Sequence, residues 1–267
     1  MKTVIQLYNN IKDKVCYLYE KLQLDKREKT KGRKLALSLQ ESIALSIFWK
    51  KNNIATKKAL YDIFEPDCTY KTLVVNLNRV AKLAGIMLAF FLRLNRKTSH
   101  PIKHTDSTDV PVSLNKNARY HKTMSGFANW GKTGKGWFYG LKLHITTDLK
   151  KKLLSLRFTS GNTHDKTIFM KLNNGLYGIF IADAAYLSEA LQREFFVEHK
   201  RILFTAVRKN MKKLETWWQD LLYKTRMTIE INFRNLKMFY GLITSLPRSP
   251  NGYFANYIHS LLAYVIA

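Results

Sequence analysis

The sequence is poor in cysteine and in acid, and it has no long apolar run. The two cysteines, Cys16 and Cys68, lie far apart and form no CxxC pair. A disulfide framework and a zinc site of ordinary ligand spacing are therefore excluded, and a reducing compartment is expected. The greasiest stretch, residues 83–92 (LAGIMLAFFL), is too short for the ~20 residues of a membrane span and reads as a buried helix. The first residues, MKTVIQLYNNIKDKV, lack the continuous apolar segment of a signal peptide, so a cytoplasmic protein with no membrane partner is expected. Acid is the scarcest class relative to its opposite: 19 Asp and Glu stand against 45 Lys and Arg, leaving a net charge of +26 over 267 residues. A positive field of that size argues for a polyanionic partner. Charge alone leaves ribosome association or a membrane surface open.

What is present divides the chain in two. An apolar fraction of 46% supplies a core. Residues 1–95 read as helical and basic. Leu35, Leu37, Leu39, Ile43, Ile47 and Phe48 lie near one another on a helical wheel. Thr56 opens a second short helix, and residues 73–91 form a long apolar one after the break at Pro66-Asp67. Such helices with short polar breaks fit a helix-turn-helix DNA reader or, equally, a helical bundle with a basic surface. The basic run at 26–34 (KREKTKGRK) either grips phosphates or is a solvated linker. Residues 96–101 are polar, basic and end in proline, and mark the boundary.

From 102 to 267 the pattern is mixed α/β. Strands are expected at 104–112 (HTDSTDVPV), 137–146 (WFYGLKLHIT), 153–159 (LLSLRFT), 177–182 (YGIFIA) and 201–207 (RILFTAV). Helices are expected at 165–172, 187–199, 217–240 and from 253 onward. The segment 131–136 (GKTGKG) reads as a turn. It lacks the GxxxxGK[ST] order and precedes a strand, so it is not a phosphate loop.

Three carboxylates stand out in so basic a chain. Asp183 ends an apolar strand, where sites collect in open α/β sheets. Asp106 lies in the first strand of the same domain. Glu230 sits among Ile229, Ile231 and Phe233 and is costly to bury unless paired or bound to metal. Asp109 rivals Asp106, but three residues apart on an extended segment the two face opposite sides, so one alone can serve. A carboxylate cluster suits hard divalent ions, Mg²⁺ or Mn²⁺, and two such ions about 4 Å apart would serve phosphodiester cleavage. If residues 217–240 form one helix, Tyr223, Arg226, Glu230 and Lys237 fall within roughly 60° of one another. That face would offer a ligand carboxylate flanked by cations and a phenol. The alternative is a core glutamate paired with Arg226 at i−4.

The spacing Y-x2-R-x3-E-x6-K over Tyr223, Arg226, Glu230 and Lys237 resembles the YREK motif of bacterial insertion-sequence transposases with an aspartate–aspartate–glutamate (DDE) metal triad. Other segments agree in order. Asp106-Ser107-Thr108 resembles the first-aspartate segment, and Gly140-Leu141-Lys142-Leu143-His144 a G-x-K-x-H strand. Ser160-Gly161-Asn162-Thr163-His164-Asp165 resembles a pGNxHD turn, and Asp183-Ala184-Ala185-Tyr186 the second-aspartate segment D-x-G-Y. Arg208-Lys209-Asn210 resembles a basic patch before the glutamate. Ala185 replaces the usual glycine and Ser160 the usual proline; a glycine at 185 would permit a positive φ.

The resemblance implies an RNase H-like mixed sheet flanked by helices over 102–267, preceded by a smaller all-helical DNA-binding domain at 1–95. It implies that Asp106, Asp183 and Glu230 hold two divalent ions, Mg²⁺ or Mn²⁺. Tyr223, Arg226, Lys237, Arg208 and Lys209 would contact DNA phosphates. Lys142 and His144 would line the same groove, with a structural role the alternative for His144. His164-Asp165 reads as a turn and helix start. The implied partner is double-stranded DNA at transposon ends and target, met by a homodimer in the cytoplasm at the nucleoid. The competing functions are another RNase H-like nuclease, such as a junction resolvase, and a decayed, noncatalytic DNA-binding copy.

Overall fold

The structure, a computed structural model, describes residues 2–27, 35–205 and 216–266. Its helices are α1 (Lys2–Lys21), α2 (Leu39–Lys51), α3 (Lys57–Phe64), α4 (Tyr70–Arg79), α5 (Ala81–Lys97), α6 (Asp165–Leu172), α7 (Glu189–His199), α8 (Trp217–Lys224), α9 (Met227–Met238) and α10 (Pro250–Ile266). Its strands are β1 (Ile102–Pro111), β2 (Asn129–Thr133), β3 (Gly136–Asp148), β4 (Leu153–Ser160), β5 (Ile179–Ala182) and β6 (Ile202–Thr205). By contact the chain forms two compact units, Met1–Phe91 with Asn235–Ala267, and Leu92–Arg234.

The first unit is helical. Hydroxyl caps start its helices: the Ser38 side chain accepts from the Glu41 N–H in a reciprocal capping box, Thr56 from Ala59, and Thr69 from Thr72. Every residue from Ser42 to Lys50 is buried, so α2 is apolar around its circumference rather than along one stripe. It packs against α1, α4 and α10, and α10 in turn buries Tyr253, Tyr257, Leu261 and Leu262. The single long helix expected at 73–91 is two, α4 and α5, which meet at Val80 with a 40° bend. No single helix among the described residues is long and apolar enough to cross a membrane.

The second unit is a six-stranded mixed sheet in the order β2-β3-β1-β5-β6, with β4 also paired to β3. β1, β3, β2 and β4 run antiparallel, while β5 and β6 run parallel to β1 and to each other. This is the RNase H-like arrangement: an antiparallel meander extended by two crossover strands. Phe169 of α6 and Leu191 and Phe195 of α7 cover one face, packing with Phe180, Leu154, Leu203 and Tyr186 in one buried cluster. The expected linker at 96–101 holds the end of α5 and the approach to β1. There Asn95 Nδ2 and Arg96 Nε donate to the Leu153 and Leu154 carbonyls.

One detail of the sheet and one of the helices differ from expectation. Residues 131–136 are not all turn: Gly131–Thr133 belong to β2, and the chain reverses at Gly134-Lys135 into β3. Gly131, Gly140 and Gly161 allow close backbone approach. A Cβ on Gly140 would lie 2.3 Å from the Val110 carbonyl oxygen, and one on Gly161 2.5 Å from that of Asn129. The helix expected over 217–240 is broken into α8 and α9 around Thr225 and Arg226.

Candidate active site

The site forms where the parallel pairing of β1 with β5 ends. β1 and β5 are in register through Thr105 and Ala182. Asp106, within β1, and Asp183, just past β5, are the next residues along each chain segment, so the pairing places both carboxylates toward one face. Each then uses one oxygen locally. Asp106 Oδ1 accepts from the Ser107 N–H at 2.8 Å, and Asp183 Oδ1 accepts from the Ala184 N–H at 2.6 Å, capping a short 3-10 turn. Ala185 lies inside that turn without a positive φ, so the fold accepts alanine where the family pattern has glycine.

The other oxygen of each aspartate faces the same nitrogen. Arg226 Nη2 lies 2.7 Å from Asp106 Oδ2 and 4.0 Å from Asp183 Oδ2. Arg226 Nη1 donates to Glu230 Oε1 at 2.9 Å. One guanidinium thus joins all three expected carboxylates. The Arg226–Glu230 pair is also the i−4 partnership that helix spacing offered as the alternative. Burial alone would lower the Arg226 pKa, but the carboxylates of Asp106 and Asp183 raise it. The surroundings grade from inside to outside: the Asp106 side chain is 14% exposed, Asp183 46% and Glu230 57%. Burial pushes the Asp106 carboxyl up to about 6 despite the opposing Arg226 charge. Tyr223, on α8, lies near Asp183, and burial, helped by the Asp183 and Asp106 charges and opposed by Arg226, raises its phenol.

Among the described residues, no three His, Cys, Asp or Glu side chains stand close enough together to share a metal ion. The donor chemistry nonetheless fits a hard divalent ion. Asp106 Oδ2 and Asp183 Oδ2 are oxygens that already converge on a positive charge. The guanidinium stands at that focus.

Sequence reasoning missed the residue that positions Arg226. His104 is buried, two residues before Asp106 on β1. Its Nε2 is 2.8 Å from Thr225 Oγ1 and its Nδ1 3.1 Å from Thr228 Oγ1, so both ring nitrogens tie the α8–α9 corner to β1. Burial lowers the imidazole to about 4, so it is neutral. Its i, i+2 spacing from Asp106 was the available signal.

Asp165 is also closer to the site than its reading as a helix start allowed. It opens α6. Its Oδ1 accepts from Ser107 Oγ at 2.9 Å and lies 3.3 Å from Lys142 Nζ. Lys142 also donates to the Thr163 carbonyl at 2.9 Å, so its charge is turned inward. His144 does not line a groove: it is fully buried, with Nε2 2.8 Å from Thr159 Oγ1, and burial lowers its pKa to about 4. Asp109 points elsewhere, into a cleft with Pro111, Leu114 and Trp137. Lys237 belongs to the helical unit and lines a cleft there. Arg208 and Lys209 lie outside the described residues.

The family described as the transposase DDE domain matches residues 96–249, a span that contains Asp106, Asp183 and Glu230. Among solved structures, the chain is similar to a piggyBac transposase synaptic complex with hairpin DNA. The identity is 10% and the TM-score 0.55, with 100% of this chain and 72% of that chain covered. A pre-cleavage Mos1 transpososome (11% identity, TM-score 0.26, 90% and 80% covered) and a Mos1 mariner paired end complex with Mn (12%, 0.27, 94% and 83%) are too distant in shape to bear on the fold. No curated protein matches the chain. The family match takes in more than half of the sequence, and the chain belongs to the DDE transposase family.

Proposed function

We propose that this transposase cleaves DNA at the ends of its element and joins the freed ends to target DNA through Asp106, Asp183 and Glu230. The observation that carries the reading is the convergence of Asp106 Oδ2 and Asp183 Oδ2 on one cationic group where the parallel pairing of β1 with β5 ends. Asp106, Asp183 and Glu230 would hold Mg²⁺ or Mn²⁺, two ions in the full site. Divalent ions there would activate water or a 3′-hydroxyl and offset charge at phosphorus. Asp106, the most enclosed of the three, fixes the inner edge of the site, while Asp183 and Glu230 face solvent where a DNA strand can approach. The Tyr223 hydroxyl and Arg226 guanidinium lie beside the carboxylates and would contact the backbone phosphate. Lys142, through Asp165 and Ser107, would hold the Asp106 stretch of β1 in place. The helical unit would read DNA, and residues 92–234 would carry the chemistry. Two copies would pair two ends, in the cytoplasm at the nucleoid.

The test compares wild type with Asp183→Asn and Glu230→Gln on DNA carrying the gene's own flanking sequence, in Mg²⁺ and in Mn²⁺, with DNA binding measured in parallel. Cleavage lost in both variants with binding kept is the expected result. Cleavage that survives both changes refutes the triad. A wild type that binds but never cleaves favours a decayed copy.

A further inference from the structure

The helical unit contains a cleft of its own, bordered by none of the triad carboxylates. It measures about 850 Å³ and opens between the α2–α3 corner, α4 and the segment after α9. That volume lies within the ~300–1,000 Å³ usual for small-molecule sites. Its lining combines two kinds of residue. Lys50, Lys57, Lys58, Lys71, Lys237 and Arg248 all border it, and no aspartate or glutamate does among the described residues. Tyr70, Val75, Ile243 and Leu246 border it too, each an exposed apolar side chain.

Among the described residues, neither Lys50 nor Lys57 has an acidic partner. Lys50 is only 5% exposed, and its ammonium donates to the Gly241 carbonyl at 3.0 Å and to Asn256 Oδ1 at 2.5 Å. Lys57 donates to Asn78 Oδ1 at 2.9 Å. All three acceptors are neutral. Both ammonium groups also lie against the same Trp49 ring, at 3.9 and 5.7 Å from its centroid. Two cations brought this close with only neutral acceptors are costly, and an anion entering the cleft would remove the cost. Burial, with Lys57 beside it, brings the Lys50 ammonium down to about 7. By contrast Lys58 is ion-paired to Asp62, so it is not the open cation of the group.

An inorganic anion would use the lysines and ignore the exposed apolar wall. A duplex presents its charge on a convex surface and would not fill a concave cleft of this size. We propose that this cleft binds a nucleotide, with its phosphate toward Lys57 and Arg248 and its base on the apolar wall of Tyr70, Ile243 and Leu246. The nucleotide is either free or an unpaired residue of a DNA strand. The proposal does not depend on the cleavage reading, because every lining residue lies in the helical unit and none is a triad carboxylate.

The experiment uses the full chain in chelator, so that the carboxylate site plays no part. Calorimetric titrations are run with inorganic phosphate, with dATP, and with a short single-stranded oligonucleotide carrying 2-aminopurine, whose fluorescence reports base stacking. The expected result is that dATP or the oligonucleotide binds at least ten times more tightly than phosphate. Lys57→Gln and Leu246→Glu should each weaken that binding at least tenfold, while Asp183→Asn leaves it unchanged. Leu246 is 61% exposed, so its variant folds even if a change at Lys57 disturbs the unit. Binding by the oligonucleotide alone identifies a strand residue as the source, and competition by dATP identifies the free nucleotide. No binding by either, equal binding of phosphate, or full retention in Leu246→Glu overturns the proposal.

Discussion

Replacing Arg226 by glutamine should tighten Mn²⁺ binding at the carboxylates while lowering the stability of the metal-free protein. The guanidinium occupies the focus of the same oxygens that a metal ion would need. The two cations therefore compete, and the strength of the arginine contacts sets the advantage its removal confers. The bond to Asp106 dominates, because both side chains are largely enclosed, at 18% and 14% exposed. A charge-assisted hydrogen bond of that kind is worth about 1.5–3 kcal/mol. The contacts to Asp183 and Glu230 are to carboxylates roughly half exposed and add little after solvent screening. Freeing the carboxylates should therefore strengthen Mn²⁺ binding about tenfold to a hundredfold, at ~1.4 kcal/mol per decade.

The assay is a calorimetric Mn²⁺ titration of the DNA-free protein at pH 8, well above the raised Asp106 carboxyl. Thermal unfolding with and without Mn²⁺ accompanies it. Without metal, Arg226→Gln should melt lower than wild type because Asp106 loses its partner inside the protein. With metal, the gap should narrow. Arg226→Lys should fall between the two, since an ammonium cannot bridge carboxylates as a planar guanidinium does. Mn²⁺ binding that is unchanged or weaker in Arg226→Gln refutes the competition and makes the arginine a scaffold for the carboxylates.

Three further outcomes follow from single contacts. Ser107→Ala removes one hydrogen bond to the Asp165 carboxylate, worth about 1.5–3 kcal/mol, and should slow cleavage by no more than about a hundredfold with DNA binding intact; Asp165→Asn, which also uncouples Lys142, should slow it more in the same single-turnover assay. Gly140→Ala should cost about 1–3 kcal/mol in urea unfolding, because its Cβ meets the Val110 carbonyl rather than a movable side chain. Lys50 has a folded pKa near 7 against 10.5 for the free group, so between those values the unfolded chain binds more protons and stability rises with pH. Below pH 7 that dependence disappears; Lys50→Met should flatten the rise by up to ~1.4 kcal/mol per pH unit in unfolding curves taken from pH 7 to 9.

The aspartates were legible in the sequence because their placement is a local property of strands. An apolar run ending on Asp183 and an extended segment through Asp106 each read directly, and parallel pairing then brings them together. α6 begins at the expected Asp165, where a turn of small and polar residues precedes an apolar face. The helix face through Tyr223, Arg226, Glu230 and Lys237 is another matter, because it assumed an unbroken helix. The break at Thr225 has no proline or glycine to announce it. It rests instead on Thr225 Oγ1, which bonds both the Leu222 carbonyl at 2.6 Å and the His104 imidazole on β1. A tertiary contact some 120 residues away in the chain thus decides a local boundary. The same contact decides the chemistry. It turns Arg226 from a helix-surface residue into the cation between Asp106 and Asp183, with Tyr223 reaching Asp183 from a separate helix. Spacing alone placed these side chains on one helix face; the His104 tether instead turns Arg226 toward the two aspartates.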